Sequence, residues 1–165
     1  MFYIQLIGLL GFCILVLSFY KKETVTILTY QVTSNFAYTV HYFLLGGLSG
    51  AFCSLIGIVR NIVLIKIDNK KIIISIFILL YLIVTIIFYE GIYSLFPMTA
   101  NSVYLIALSY KKRKTLLIGA IISSILWILY SVFVNSYVSV VTESILLLSN
   151  AIQLKKENNN QGGSA

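Results

Sequence analysis

Nearly every charged side chain in this chain falls in a gap between apolar runs long enough to cross a bilayer, and no other feature constrains the fold as much. A helix needs about 20 apolar residues to span the hydrocarbon core, with about 17 to 25 tolerated. Seven runs qualify: Phe2 to Phe19, Thr24 to Leu45, Leu48 to Ile65, Ile72 to Tyr89, Ile92 to Tyr110, Thr115 to Val134 and Tyr137 to Leu154. Inside a bilayer the backbone has no water to bond, so each run must pair its own amides and is expected to be helical. The fold class is therefore an all-α membrane protein with seven transmembrane helices. Composition agrees and excludes a soluble domain, since 59% of residues are hydrophobic and 10% are charged. Pro97 falls in the first turns of the fifth run, where a missing backbone donor is tolerated. The first run has neither a basic leader nor a small-x-small cleavage site, and is expected to stay as a membrane helix.

The formal charge of +7 would point to nucleic acid in a soluble protein, but here the basic residues sit at helix ends and no nucleic-acid partner is expected. Seven crossings put the gaps after runs one, three and five, and the C-terminus, on one side. Those gaps hold Lys21, Lys22, Lys66, Lys70, Lys71, Lys111, Lys112, Arg113, Lys114, Lys155 and Lys156, which is every basic residue except Arg60. Basic loops mark the cytoplasm, so the expected topology has the N-terminus outside and the C-terminus cytoplasmic.

The chain also carries a faint copy of itself. Shifted by 89 positions, as from Tyr38 to Trp127, the stretch WILYSVFVNSYVSVVTESILLLSN lies over YTVHYFLLGGLSGAFCSLIGIVRN. Tyr130 then falls on His41, Asn135 on Gly46, Ser139 on Gly50, Glu143 on Ser54 and Asn150 on Asn61, an order that signals internal duplication. Two three-helix units keep the same orientation only if one further crossing separates them. The expected organisation is 3+1+3: a first unit over residues 1–66, a linker with the fourth helix over 67–91, a second unit over 92–157, and a polar Asn- and Gly-rich tail over 158–165 expected to be disordered.

Polar side chains form stripes. Gln31, Ser34, Asn35, Tyr38 and His41 recur at helical spacing in the second run, and Ser123, Ser124, Trp127 and Tyr130 hold the matching stripe in the sixth. Small hydroxylated residues often mediate helix packing in membranes, whereas Gln, Asn and His are costly against lipid and point to an interior cavity. Three ionisable residues lie inside the apolar runs: His41, Arg60 and Glu143. Glu143 and Arg60 are placed to pair or to gate a pathway, and a register-fixing ion pair or an Arg60 that reaches the surface are the plainer readings. His41 has an interfacial reading as well. Trp127, about twelve residues into its helix, is too deep for an interfacial belt and reads as a cavity wall, with Asn61 and Asn150 as further lining candidates. Cys13 and Cys53 lack neighbours at ligand spacing and read as packing residues. No nucleophile–base pair, phosphate loop or metal-ligand cluster is present in the sequence, so no catalytic residue, metal or cofactor is expected and the chain does not read as an enzyme.

HYFLLGGLSGAFCSLIGIVRNIV, with its aromatic-FLLG run, Gly-Ala step and downstream Arg, and LWILYSVFVNSYVSVVTESILLLSNAI, with its Trp and Glu-Ser…Leu-Leu-x-Asn, resemble the YgjV-type family of bacterial inner-membrane proteins. That resemblance covers nearly the whole chain and implies the bacterial plasma (inner) membrane, with no chemistry attached. More widely, the 3+1+3 organisation resembles SWEET and SemiSWEET sugar transporters and related PQ-loop and PnuC-like carriers. There a Trp, and an Asn sixteen residues later, line the substrate pocket. Trp127 with Glu143, and Tyr38 with Ser54, have that spacing here. The resemblance implies substrate binding by Tyr38, Ser54, Trp127 and Glu143 in a small-solute transporter working by alternating access. Glu143 and Ser54 replace the Asn pair, and LSFYKK stands where the Pro-Gln motif would be, so sugar is not implied as the solute. The expected partners are the lipid bilayer and an unknown small molecule, with a homodimer left open. The competing expectation is a non-transporting receptor or scaffold on the same fold.

Overall fold

The computed structural model describes residues 1–18, 24–66, 70–110 and 112–162. Residues 19–23, loop residues 67–69, Lys111 and the last three residues lie outside that set. Each apolar run becomes a helix: α1 (Phe2–Ser18), α2 (Thr24–Leu44), α3 (Leu48–Lys66), α4 (Lys70–Ile87), α5 (Leu95–Ser109), α6 (Arg113–Phe133) and α7 (Tyr137–Gly162). A single 3-10 turn, Ile92–Ser94, leads into α5. Pro97 is then the third residue of α5, where its absent N–H would have been unpaired anyway. The described residues contain no strand. By length and composition Ile92–Ser109, Arg113–Phe133 and Tyr137–Asn159 are able to cross a membrane, and Phe2–Ser18, Leu48–Leu64 and Ile72–Ile87 are shorter apolar helices. Helix α7 continues through Gly162, so residues 158–162 of the polar tail, expected to be disordered, extend it. The ion pair between Arg113 and Glu157 (3.6 Å) ties this extension to the start of α6.

The shift of 89 reappears in the helix bounds. Helices α2 and α6 each have 21 residues, and both α2 to α6 and α3 to α7 begin that distance apart. Both helix-ending turns are built alike. After α2, the Gly46 N–H bonds the Phe43 carbonyl (3.1 Å) and the Gly47 N–H bonds that of Tyr42 (2.9 Å). After α6, Asn135 bonds Val132 (3.3 Å) and Ser136 bonds Ser131 (2.9 Å). This double bond is the Schellman closure, which needs a left-handed residue, and Gly46 (φ 81°) and Asn135 (φ 56°) supply it. Asn is among the few side chains that adopt that conformation readily.

Helix α2 packs against α1 and α3, α6 packs against α5 and α7, and α4 lies on α3 and α5. Helix α4 turns Ile73, Phe77 and Tyr81 inward onto Cys53 and Leu105. Tyr81 and Thr85, two polar residues of α4, are both buried. The whole distribution is inverted relative to a soluble protein. Phe36, Phe43, Val59, Ile76, Val141 and Leu148 are exposed, while Ser34, His41, Arg60, Asn61, Ser124 and Thr142 are buried. Apolar surface of this extent suits lipid tails rather than water.

Candidate functional site

The polar residues of the interior converge on two cavities that share walls. The larger, of about 370 Å³, is lined by Gln31 and Asn35 from α2, Arg60 and Asn61 from α3, Tyr104 from α5, Ser123, Ser124 and Trp127 from α6, and Glu143, Asn150 and Gln153 from α7. The smaller, of about 100 Å³, lies against Asn35, Tyr38, Tyr42, Ser54, Arg60, Asn101, Trp127 and Glu143. Residues 89 positions apart line the same space: Asn35 with Ser124, Asn61 with Asn150 and Leu15 with Tyr104 in the larger cavity, Tyr38 with Trp127 and Ser54 with Glu143 in the smaller. Tyr42 and Ser131, also 89 apart, bond each other through their hydroxyls (3.1 Å). Equivalent positions of two copies touch only at the axis that relates them, so the cavities lie between the two halves.

Sequence-predicted residues are thus brought together in large part. Tyr38, Ser54, Trp127, Glu143, Arg60, Gln31, Asn35, Asn61 and Asn150 all line one or both cavities. His41 and Tyr130 line neither. They stand where each half meets the start of a helix from the other. The Tyr130 hydroxyl accepts from the Gly50 N–H (2.8 Å) and from the Ser49 hydroxyl (3.3 Å) at the start of α3. His41, its equivalent, reaches the start of α7: Nε2 is 2.7 Å from the Ser136 hydroxyl, itself 2.6 Å from that of Ser139. The other ring nitrogen faces the Ile4 carbonyl at 2.8 Å, and because a carbonyl only accepts, Nδ1 carries the proton.

Arg60 and Glu143 face the same space without forming a direct pair. Among the described residues the only ion pair within 4.0 Å is Arg113 with Glu157. The partners of Arg60 are neutral: the Asn61 amide oxygen accepts from Nε (3.1 Å) and Nη2 (3.0 Å), the Tyr81 hydroxyl lies 3.4 Å from Nη1, and the Tyr104 ring sits 5.8 Å away. Asn61 holds Oδ1 to Arg60 while its Nδ2 reaches Gln31 (3.5 Å). The Glu143 carboxyl has Ser124 close beside it. Tyr38 presents a buried hydroxyl with no hydrogen-bond partner among the described residues. Thr142 stands near it, with its own proton given to the Val138 carbonyl (2.8 Å).

The two ends of this space differ. At one end the larger cavity reaches Arg113, whose side chain is 64% exposed and bonds Gln153 (3.0 Å). At the other, Tyr42 stacks on Trp127 (5.5 Å between centroids) and meets Tyr130 edge-on (5.5 Å), with Tyr93 and Phe133 stacked behind (5.4 Å). Tyr42 and Tyr130 are almost wholly buried. The Glu90 carboxylate adds a cap there, accepting from the Leu48 and Ser49 amides at the start of α3 (3.2 Å each). Tyr42, Tyr104 and Glu90 had not been singled out in the sequence. Aromatic residues at helical spacing look like ordinary packing.

An apolar exterior around a polar, partly hollow interior defines an all-α integral membrane protein. The chain matches the family model Imp-YgjV, described as bacterial inner membrane protein, over residues 2–161, and it belongs to that family. No curated protein and no solved structure matches the chain.

Proposed function

We propose that the protein is a small-solute transporter of the bacterial inner membrane that works by alternating access, with its substrate site between the halves and lined by Tyr38, Ser54, Trp127 and Glu143. The observation that carries this reading is the asymmetry of the interior: the larger cavity reaches the exposed Arg113, while the smaller one lies against Tyr42, which packs on Trp127 and Tyr130. A packed scaffold has no use for a hollow that holds a carboxyl and a guanidinium, both costly in a bilayer. Midplane sites between structural repeats, exposed to one side at a time by rocking of one repeat on the other, are the common arrangement of secondary transporters. In this reading the chain crosses the membrane seven times, its N-terminus is outside and its C-terminus cytoplasmic, and the open end faces the cytoplasm. No bond of the solute is made or broken, so the protein is not an enzyme and needs no cofactor.

Uptake by purified protein in liposomes, over a broad panel of amino acids, sugars, nucleosides, amines and organic acids, tests the proposal. At least one solute is expected to exchange across the membrane, and Glu143→Gln to slow that exchange at least about tenfold. If nothing in the panel moves and a solute only binds, a receptor on the same fold takes the place of the transporter.

A further inference from the structure

We propose that the solute recognised by this site is a small zwitterion, held with its anionic group at Arg60 and its cationic group between Glu143 and the face of Trp127. The inference rests on the transporter reading above and names the class of its substrate. Three observations carry it. Arg60 and Glu143 both line the smaller cavity, yet they form no direct ion pair. Every partner of the guanidinium among the described residues is neutral, and the Glu143 carboxyl has a serine beside it rather than a cation. The Tyr38 hydroxyl, buried and unpartnered, lines the same small cavity as a further donor.

A buried ionised group without a counter-charge is strongly unfavourable, and here a guanidinium and a carboxyl face one space without pairing. A cation placed there would satisfy Glu143 but lie beside Arg60, and an anion would do the reverse. A neutral solute would leave Arg60 uncompensated. A molecule carrying one charge of each sign completes both interactions at once, with an aromatic face supplied by Trp127 for an ammonium or quaternary amine. The smaller cavity, at about 100 Å³, is several times the roughly 30 Å³ that one water occupies, so the gap between the charged groups has room for a solute fragment.

The test uses full-length protein in lipid nanodiscs and matched probes on common skeletons. Alanine and leucine supply the zwitterions, their methyl esters the cations, their N-acetyl derivatives the anions, and the N-acetyl methyl esters the neutral forms; glycine betaine is compared with choline. At least one zwitterion is expected to bind, and removing either of its charges to weaken binding about thirtyfold or more. Glu143→Gln is expected to erase the advantage of the zwitterion over its N-acetyl form, and Arg60→Gln its advantage over the ester. Arg60→Lys and Glu143→Asp should retain the preference, and the ligand series on the unaltered protein decides the matter where a glutamine variant does not fold. Tight binding of neutral probes, indifferent to both substitutions, overturns the zwitterion while leaving transport standing. Failure of every zwitterion to bind, while a sugar or nucleoside is transported, has the same effect. Absence of any transport across the broad panel instead overturns the reading beneath it.

Discussion

At the residue scale the aromatic cluster beside the cavities depends on one close approach. A Cβ on Gly50 would lie 2.3 Å from a ring carbon of Tyr130 and 2.6 Å from its hydroxyl, closer than any unstrained contact. The ring is itself fully buried and has no room to retreat. Gly50→Ala is therefore expected to destabilise the protein by about 1–3 kcal/mol, read as a lower melting temperature in detergent. An unchanged melting temperature would mean that Tyr130 moves freely and does not hold that cluster. This contact also marks the limit of sequence reading. Ser139 aligned with Gly50 and Tyr130 with His41, but nothing in either residue type revealed that the Tyr130 and His41 positions each meet the helix start of the other half. Arg60, Glu143, Asn35 and Asn61 were legible because each is costly in lipid. Tyr104 and Tyr42 were not, because an aromatic ring suits a packed core, an interface and a cavity wall equally well.

At the element scale the two halves hold each other by reciprocal contacts. Tyr130 of α6 engages the start of α3, and His41 of α2 engages the start of α7. Free amides at a helix start need partners, and each half supplies some of them to the other. Gln5 of α1 adds to this, accepting from the Val138 N–H (3.2 Å) and donating to the Asn135 carbonyl (3.0 Å). Alternating access through this fold requires these contacts to part together, since each spans the seam between halves. His41→Ala is expected to loosen the seam while leaving the helices intact. A cysteine at Ser139, introduced after replacing Cys13 and Cys53 by serine, should react slowly with an impermeant thiol reagent while His41 is present. With His41→Ala the rate should rise at least about fivefold, on the scale of the roughly 1 kcal/mol net value of one buried hydrogen bond. Equal rates would assign closure to the aromatic cluster alone. Helix order and turn positions were plain in the sequence because hydrophobic run length and turn residues are local properties. The seam was not, because it pairs residues across most of the chain.

At the scale of the whole molecule, the proposed orientation and the asymmetric cavity make a single joint statement about access. The basic residues gather at one end by the count of crossings, and the cavity reaches the exposed Arg113 at that same end. A surface rich in Lys and Arg stays on the cytoplasmic side, so the cavity in this conformation should be entered from the cytoplasm. Asn150 lines the larger cavity and is half-buried, a suitable reporter position. In the background without Cys13 and Cys53, Asn150→Cys should be labelled by an impermeant reagent in inside-out vesicles and protected in intact spheroplasts. A solute that binds the site should slow that labelling by occupying the same space. A fluorescent protein fused after Ala165 should fold and emit, as cytoplasmic fusions do, while the same fusion placed before Met1 should remain dark. Labelling of Asn150→Cys from the periplasm together with a bright C-terminal fusion would separate the two halves of the statement. The topology would stand, and the open end would have to face outward.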